Sequence, residues 1–98
     1  MDELLGAVKN YLDITYEDDQ TDEKLKGIIE RGKAYLDDVA GEKQDYEKEE
    51  APRMLLLDYC RYARDSALEL FEENFGADLR SLRMEAQVKD YAKRKGYI

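Results

Sequence analysis

The chain has 98 residues, a net charge of −8 and 41% charged residues. That length holds one domain, and charge interleaved with apolar residues at helical spacing excludes a disordered chain. One cysteine and no histidine exclude an internal disulfide and an ordinary zinc site.

The first helix is expected from Asp2 to Leu12. Leu4, Leu5, Val8, Tyr11 and Leu12 recur three and four residues apart and make one apolar face. Asp2 is the expected N-cap, and Lys9 falls on the polar side. An elbow follows from Asp13 to Thr21. Alternation through Leu12, Ile14 and Tyr16 predicts an extended stretch that folds back on the core. Asp19 or Thr21 is the expected cap of the next helix. The run Glu17-Asp18-Asp19 lacks the alternating ligands, central glycine and closing glutamate of a calcium loop.

The second helix is expected over Asp22 to Ala40, where Leu25, Ile28, Ile29, Gly32, Leu36 and Val39 keep a 3.6-residue period. A glycine inside a helix costs about 1 kcal/mol relative to alanine. Gly32 on the apolar face therefore predicts close approach by another helix. Gly41 suits the left-handed position after the last turn. Residues 42–51 form an acidic loop around Tyr46. Pro52 suits the first turn of a third helix, since its missing N–H is unpaired there anyway. That helix is expected to reach about Asn74, with Gly76 ending it. Its core stripe is Leu56, Tyr59, Cys60, Ala63, Ala67 and Leu70, widened by Met54, Leu57 and Phe71.

Over residues 78–95, Leu79, Leu82 and Ala86 make one helical row, and Met84, Val88 and Tyr91 another. The two rows do not share one narrow stripe. Good helix formers favour a helix touching two neighbours over a strand. Gly96-Tyr97-Ile98 is expected to fray unless it docks on a partner. The reading is an all-α fold, a small bundle of about four helices with a long central helix pair. Residues 1–98 form a single domain, with 77–98 as a candidate assembly arm.

Charge divides unevenly along the chain. Residues 1–50 hold 16 Asp/Glu against 7 Lys/Arg, a balance of −9, and residues 51–98 hold 8 against 9, a balance of +1. The acidic half repels nucleic-acid phosphate. Lys89, Lys93, Arg94 and Lys95 either complement the negative end of a helix or meet an acidic surface on a neighbour. Met1-Asp2-Glu3 lacks the basic start of a signal peptide, and no apolar run approaches the ~20 residues of a membrane span. Manufacture inside the cell is expected.

No constellation points to catalysis. Cys60 lies on an apolar stripe with no histidine to serve as base, so a core role is expected. The carboxylates sit on polar faces, without the crowding that separates acid from base. A di-metal bundle site would need inward carboxylates with histidines. No enzyme activity, cofactor or metal is expected. Eight tyrosines are an excess. Tyr11, Tyr35 and Tyr59 fit the rim of a core, whereas Tyr62, Tyr91 and Tyr97 are harder to place inside. Aromatic residues beside arginine suit protein contacts, which makes Arg61, Tyr62, Arg64 and Tyr91 candidate interface residues.

Two segments carry a family likeness. The first joins Val8, Tyr11 and Leu12 to Ile14, the Asp18-Asp19 elbow, Leu25, Ile28, Ile29, Ala34, Tyr35 and Leu36. The second is Leu57-Asp58-Tyr59-Cys60-Arg61-Tyr62, then Ala67-Leu68-Glu69 and Phe71-Glu72-Glu73-Asn74-Phe75. In these the chain resembles the head–tail connector (adaptor, or head-completion) proteins of tailed bacteriophages and prophages. Asp13 stands where such proteins often carry a basic residue, and Gly32 where alanine is more usual.

The resemblance implies a helical subunit that closes into a homo-oligomeric ring under the portal protein. That ring extends the DNA channel toward a tail-side completion protein. DNA passes through without specific binding, and no membrane is involved. The implied locations are the host bacterial cytoplasm during assembly and then the head–tail junction of the virion. A closed ring needs two different complementary patches on each subunit. Glu17, Asp18, Asp19 and the loop Glu47 to Glu50 are expected to face either the channel or the Lys93-Arg94-Lys95 segment of a neighbour. The alternative is an acidic helical regulator that binds a basic partner or mimics DNA.

Overall fold

The longest element explains the rest. Helix α2 (Asp19–Ala40) is 22 residues long, about 33 Å at 1.5 Å per residue, and both α3 (Ala51–Arg64) and α5 (Gly76–Arg94) pack on it. Helix α1 (Asp2–Tyr11) packs on α2 and α3, and α4 (Leu68–Asn74) packs on α3 and α5. This computed structural model describes residues 2–96, and the side chains of 3–96. The cap role expected of Asp2 and the docking or fraying expected of Tyr97 and Ile98 lie outside the described residues. Among the described residues the secondary structure is helical throughout, in five helices.

Local chemistry sets each boundary. Asp18, rather than Asp19 or Thr21, caps α2. Its backbone is extended, and its carboxylate accepts from the Thr21 N–H at 3.3 Å and the Thr21 hydroxyl at 2.6 Å. Asp19 is already helical. At the far end Gly41 is left-handed, with φ 84°. The Glu42 N–H reaches the Asp37 carbonyl and the Gly41 N–H reaches Asp38, the paired closure that a C′ glycine permits. Pro52 lies in the first turn of α3, as its chemistry dictates.

The third helix departs from the sequence expectation. It stops at Arg64 instead of running to Asn74. Ser66 is left-handed, with φ 56°, and Ala67 N–H→Tyr62 O and Ser66 N–H→Ala63 O make the same closure as at Gly41. A serine does there what glycine usually does, so the sequence carries no breaker. The chain re-enters as α4 with a new phase. Phe71 is buried, while Leu70, expected in the stripe, is exposed. Gly76 does not end a helix either. It begins α5, after a one-residue junction at Phe75.

The core runs through all five helices. Leu4, Val8, Ile29, Leu36, Leu56, Cys60 and Phe71 are fully buried. Gly32 sits under α3: a Cβ there would lie 2.7 Å from both Leu56 Cδ1 and Tyr59 Cδ1. The close approach expected of this glycine is therefore present. Tyr35, Tyr59, Tyr62, Phe71 and Phe75 form an aromatic cluster with centroids 5.0 to 6.2 Å apart. Most of these pairs meet edge to face, the arrangement the ring quadrupoles favour. In the elbow, Leu12 and Ile14 are buried but Tyr16 is exposed, so the predicted alternation lasts two steps rather than three.

Candidate assembly surfaces

The acidic elbow sits in the turn between α1 and α2. Glu17, Asp18 and Asp19 are all exposed. Asp18 is committed to its cap, and the Thr21 hydroxyl bond holds its carboxyl below the usual carboxylate range. Glu17 and Asp19 take part in no ion pair among the described residues. Behind them Lys9 bridges to Asp22 at 2.9 Å, which joins α1 to α2. The bond to Asp22 raises the Lys9 pKa.

The second acidic segment, residues 42–50, is pinned from both ends. Tyr46 is buried, and its hydroxyl donates to Asp37 Oδ1 at 2.7 Å, with the Lys33 carbonyl 3.2 Å away. Asp37 Oδ1 also accepts from the Gln44 N–H at 3.0 Å. Burial, then the bond to Asp37, pushes the Tyr46 pKa up. From the other side comes Arg53, only 5% exposed. Its guanidinium meets Glu3 at 2.9 Å, Glu49 at 3.5 Å and the Tyr46 carbonyl at 3.3 Å. Glu49 of this segment and Glu3 of α1 thus neutralise a buried cation.

The arginine–tyrosine group at the end of α3 is also engaged within the chain. Arg61 lies 5.3 Å from the Tyr62 ring centre and 3.6 Å from Asp58. Arg64 donates to the Leu12 carbonyl at 3.3 Å. The Tyr62 hydroxyl accepts from Asn74 at 3.1 Å, and its ring belongs to the aromatic cluster. Tyr11 donates to Asp58. Together these tie the α1–α2 elbow to α3 and α4.

The basic end of α5 lies across from the acidic loop of its own chain. A cleft of about 480 Å³ is lined by Glu42, Asp45, Glu50, Lys89 and Lys93. The sequence reading left the loop Glu47 to Glu50 facing either the channel or a neighbour's basic segment, and here Glu50 shares a cleft with Lys89 and Lys93 of its own chain. Arg94 pairs with Asp90 at 2.9 Å. Lys95 stands 5.7 Å over the exposed Tyr91 ring. Cys60, by contrast, is fully buried, and burial pushes its thiol up to about 12. A thiol so placed carries no thiolate at neutral pH.

Sequence reasoning missed Arg53, Tyr46 and Asp37. For Arg53 a signal existed: residues 53, 56 and 60 share one helical row, so a cation stands on the apolar stripe. For Tyr46 the signal was one large aromatic in an otherwise polar loop. Among the described residues, no group of three or more His, Cys, Asp and Glu could hold a metal ion, and no helix is long and apolar enough to cross a membrane. Comparison with protein-family models, with curated proteins and with solved structures found no match to this chain.

Proposed function

We propose that this chain is a structural virion protein, a head–tail connector subunit of phage or prophage type. It closes into a ring beneath the portal protein and carries the DNA channel toward a tail-side completion protein. The subunit is a small helical bundle whose long helices α2 and α5 lie side by side. It assembles in the bacterial cytoplasm and stays at the head–tail junction of the virion. It catalyses nothing and holds no cofactor.

The observation that carries this reading is an unpartnered helix face beside segregated charge. Met84, Val88 and Tyr91 are exposed in one row on α5, and the acids Glu17 and Asp19 stand free at the α1–α2 elbow. Exposed apolar patches rimmed by polar residues mark interaction surfaces. The residues that resemble connectors support it in a second way. Val8, Leu12, Ile14, Leu25, Ile29, Leu36, Tyr59, Cys60 and Phe71 are core residues, so the likeness concerns a fold suited to assembly. An acidic surface facing the channel lets DNA slide without sticking, because it repels phosphate.

The acidic-regulator alternative needs free rows of carboxylates. Here Glu3, Asp22, Asp37 and Glu49 are spent on Arg53, Lys9 and Tyr46. Native mass spectrometry of the protein, alone and with the portal protein of the same genome, tests the proposal. A discrete ring, or saturable addition to portal rings, is the expected result. A chain that ignores the portal in every mixture overturns it and favours the regulator.

A further inference from the structure

The outer face of α5 lies opposite the side that the core uses. Leu79, Leu82 and Ala86 turn inward. Met84, Val88 and Tyr91 point away, 63%, 66% and 57% exposed. Steps of four and three residues extend this row to Ala77, Ser81, Met84, Val88, Tyr91 and Lys95. That is the spacing of a seam along which helices interlock.

The two flanks of the seam differ in charge. One carries Asp78, Glu85 and Ala92, and the other Arg80, Gln87 and Arg94. The fold separates them: Asp78 and Glu85 line a groove beside Met54 and Asp58 of α3, whereas Gln87 and Arg94 line a cleft at the C-terminal end of α2. Arg80 and Glu85 are exposed, and neither joins an ion pair among the described residues.

Orientation follows from these charges. In a parallel pair of such helices, a residue on the second flank meets the residue five positions on from the first flank of its neighbour. Arg80 and Glu85 stand in that relation. In an antiparallel pair each flank meets its own kind, so arginines oppose arginines and acids oppose acids. The seam therefore complements itself in one orientation only. A foreign helix needs nothing but the apolar row; the match between the chain's own two flanks names a second copy.

We propose that α5 is a self-association surface. The α5 helices of neighbouring copies lie parallel, with Met84, Val88 and Tyr91 packed between them. Arg80 of one copy lies against Glu85 of the next. A seam of fewer than three heptads buries less than the roughly 800 Å² per partner of a standard interface, so the contact is weak on its own and concentration-dependent. It does not rest on the connector reading, since any cyclic assembly about an axis along α5 keeps these helices parallel.

Sedimentation equilibrium of the full chain over a wide concentration range tests this. The mean mass is expected to rise above that of the monomer, and Val88→Glu to abolish the rise. Arg80→Glu and Glu85→Arg are each expected to weaken association about fivefold, the scale of a few exposed charge contacts. The double variant R80E/E85R should recover to within about twofold, because reversed charges pair again. All three positions are exposed, and circular dichroism of each variant confirms that the helices persist. A chain that stays monomeric at every concentration overturns the inference. So does association that R80E and E85R leave unchanged, or that the double variant fails to restore. Rings that form on the portal while the isolated chain stays monomeric at every concentration would keep the connector reading and remove this one. Association through α5 with no portal binding would do the reverse.

Discussion

Arg53 shows how a single side chain organises a surface. It is buried, yet its partners Glu3 and Glu49 are mostly exposed, with side-chain accessibilities of 60% and 81%. The bond to Arg53 keeps Glu3 below its ordinary pKa. Arg53→Ala removes the packing of its stem and leaves the Tyr46 carbonyl without that donor. A loss of about 2 kcal/mol is expected in urea unfolding, the usual cost of truncating a buried hydrogen-bonded side chain. Protonation follows the same logic. Glu3 and Asp18 are both lowered, so their stabilisation is present above the ordinary carboxylate pKa and fades as pH falls through the folded values. At the alkaline end the sign reverses. Cys60 rises from 9.0 to about 12 and Tyr35 from 10.0 to about 12, each mainly by burial. The unfolded chain releases these protons first, so stability should hold below pH 9.0 and fall steadily toward pH 12. Thermal melts across that range check it, and Cys60→Ala should delay the onset.

At the scale of elements, α2 and α3 meet through Gly32. The helix would gain about 1 kcal/mol from Gly32→Ala. The new methyl, however, would stand 2.7 Å from the Leu56 and Tyr59 side chains. Overpacking of this kind costs roughly 1–3 kcal/mol, and the Tyr59 ring is held in the aromatic cluster. The expected net result is destabilisation by about 1 kcal/mol, read from the denaturant midpoint. The start of α2 offers a second measurement. Asp18→Ala removes the bonds to Thr21 and should cost about 1 kcal/mol. Asp18→Asn should retain most of that stability, since an asparagine oxygen caps equally well. An asparagine as damaging as alanine would give Asp18 a role for its charge beyond the cap.

The whole molecule measures 49 × 28 × 17 Å, an elongated body with α5 along one side of α2. That pairing brings the basic end of α5 over the acidic loop of the same chain. Lys93 therefore has acidic company within its own subunit, whereas Tyr91 and Lys95 lie on the outer side of the helix. Reversing Lys93, Arg94 and Lys95 to glutamate tests whether these charges also serve a neighbour. If they do, assembly at low salt should weaken, and salt should erase the difference, because exposed charges are screened. Unchanged assembly at low salt would confine this segment to contacts within one chain.

The sequence by itself determined that the chain is helical, that α2 carries an apolar stripe closed by Gly41, and that α5 has two apolar rows. Those facts are local: periodicity, a left-handed glycine and a proline in a first turn are written in neighbouring residues. Only the tertiary structure decided the break at Ser66. A serine takes the left-handed position there, and no glycine or proline beside it announces the break. It also decided which α5 row is buried, since Leu79, Leu82 and Ala86 fit against α2 and α3 while either row suits an isolated helix. The fate of the acidic loop was settled in the same way. Tyr46, Asp37 and Arg53 are separated in sequence, and their hydrogen bonds exist only once α2, α3 and α1 have packed together.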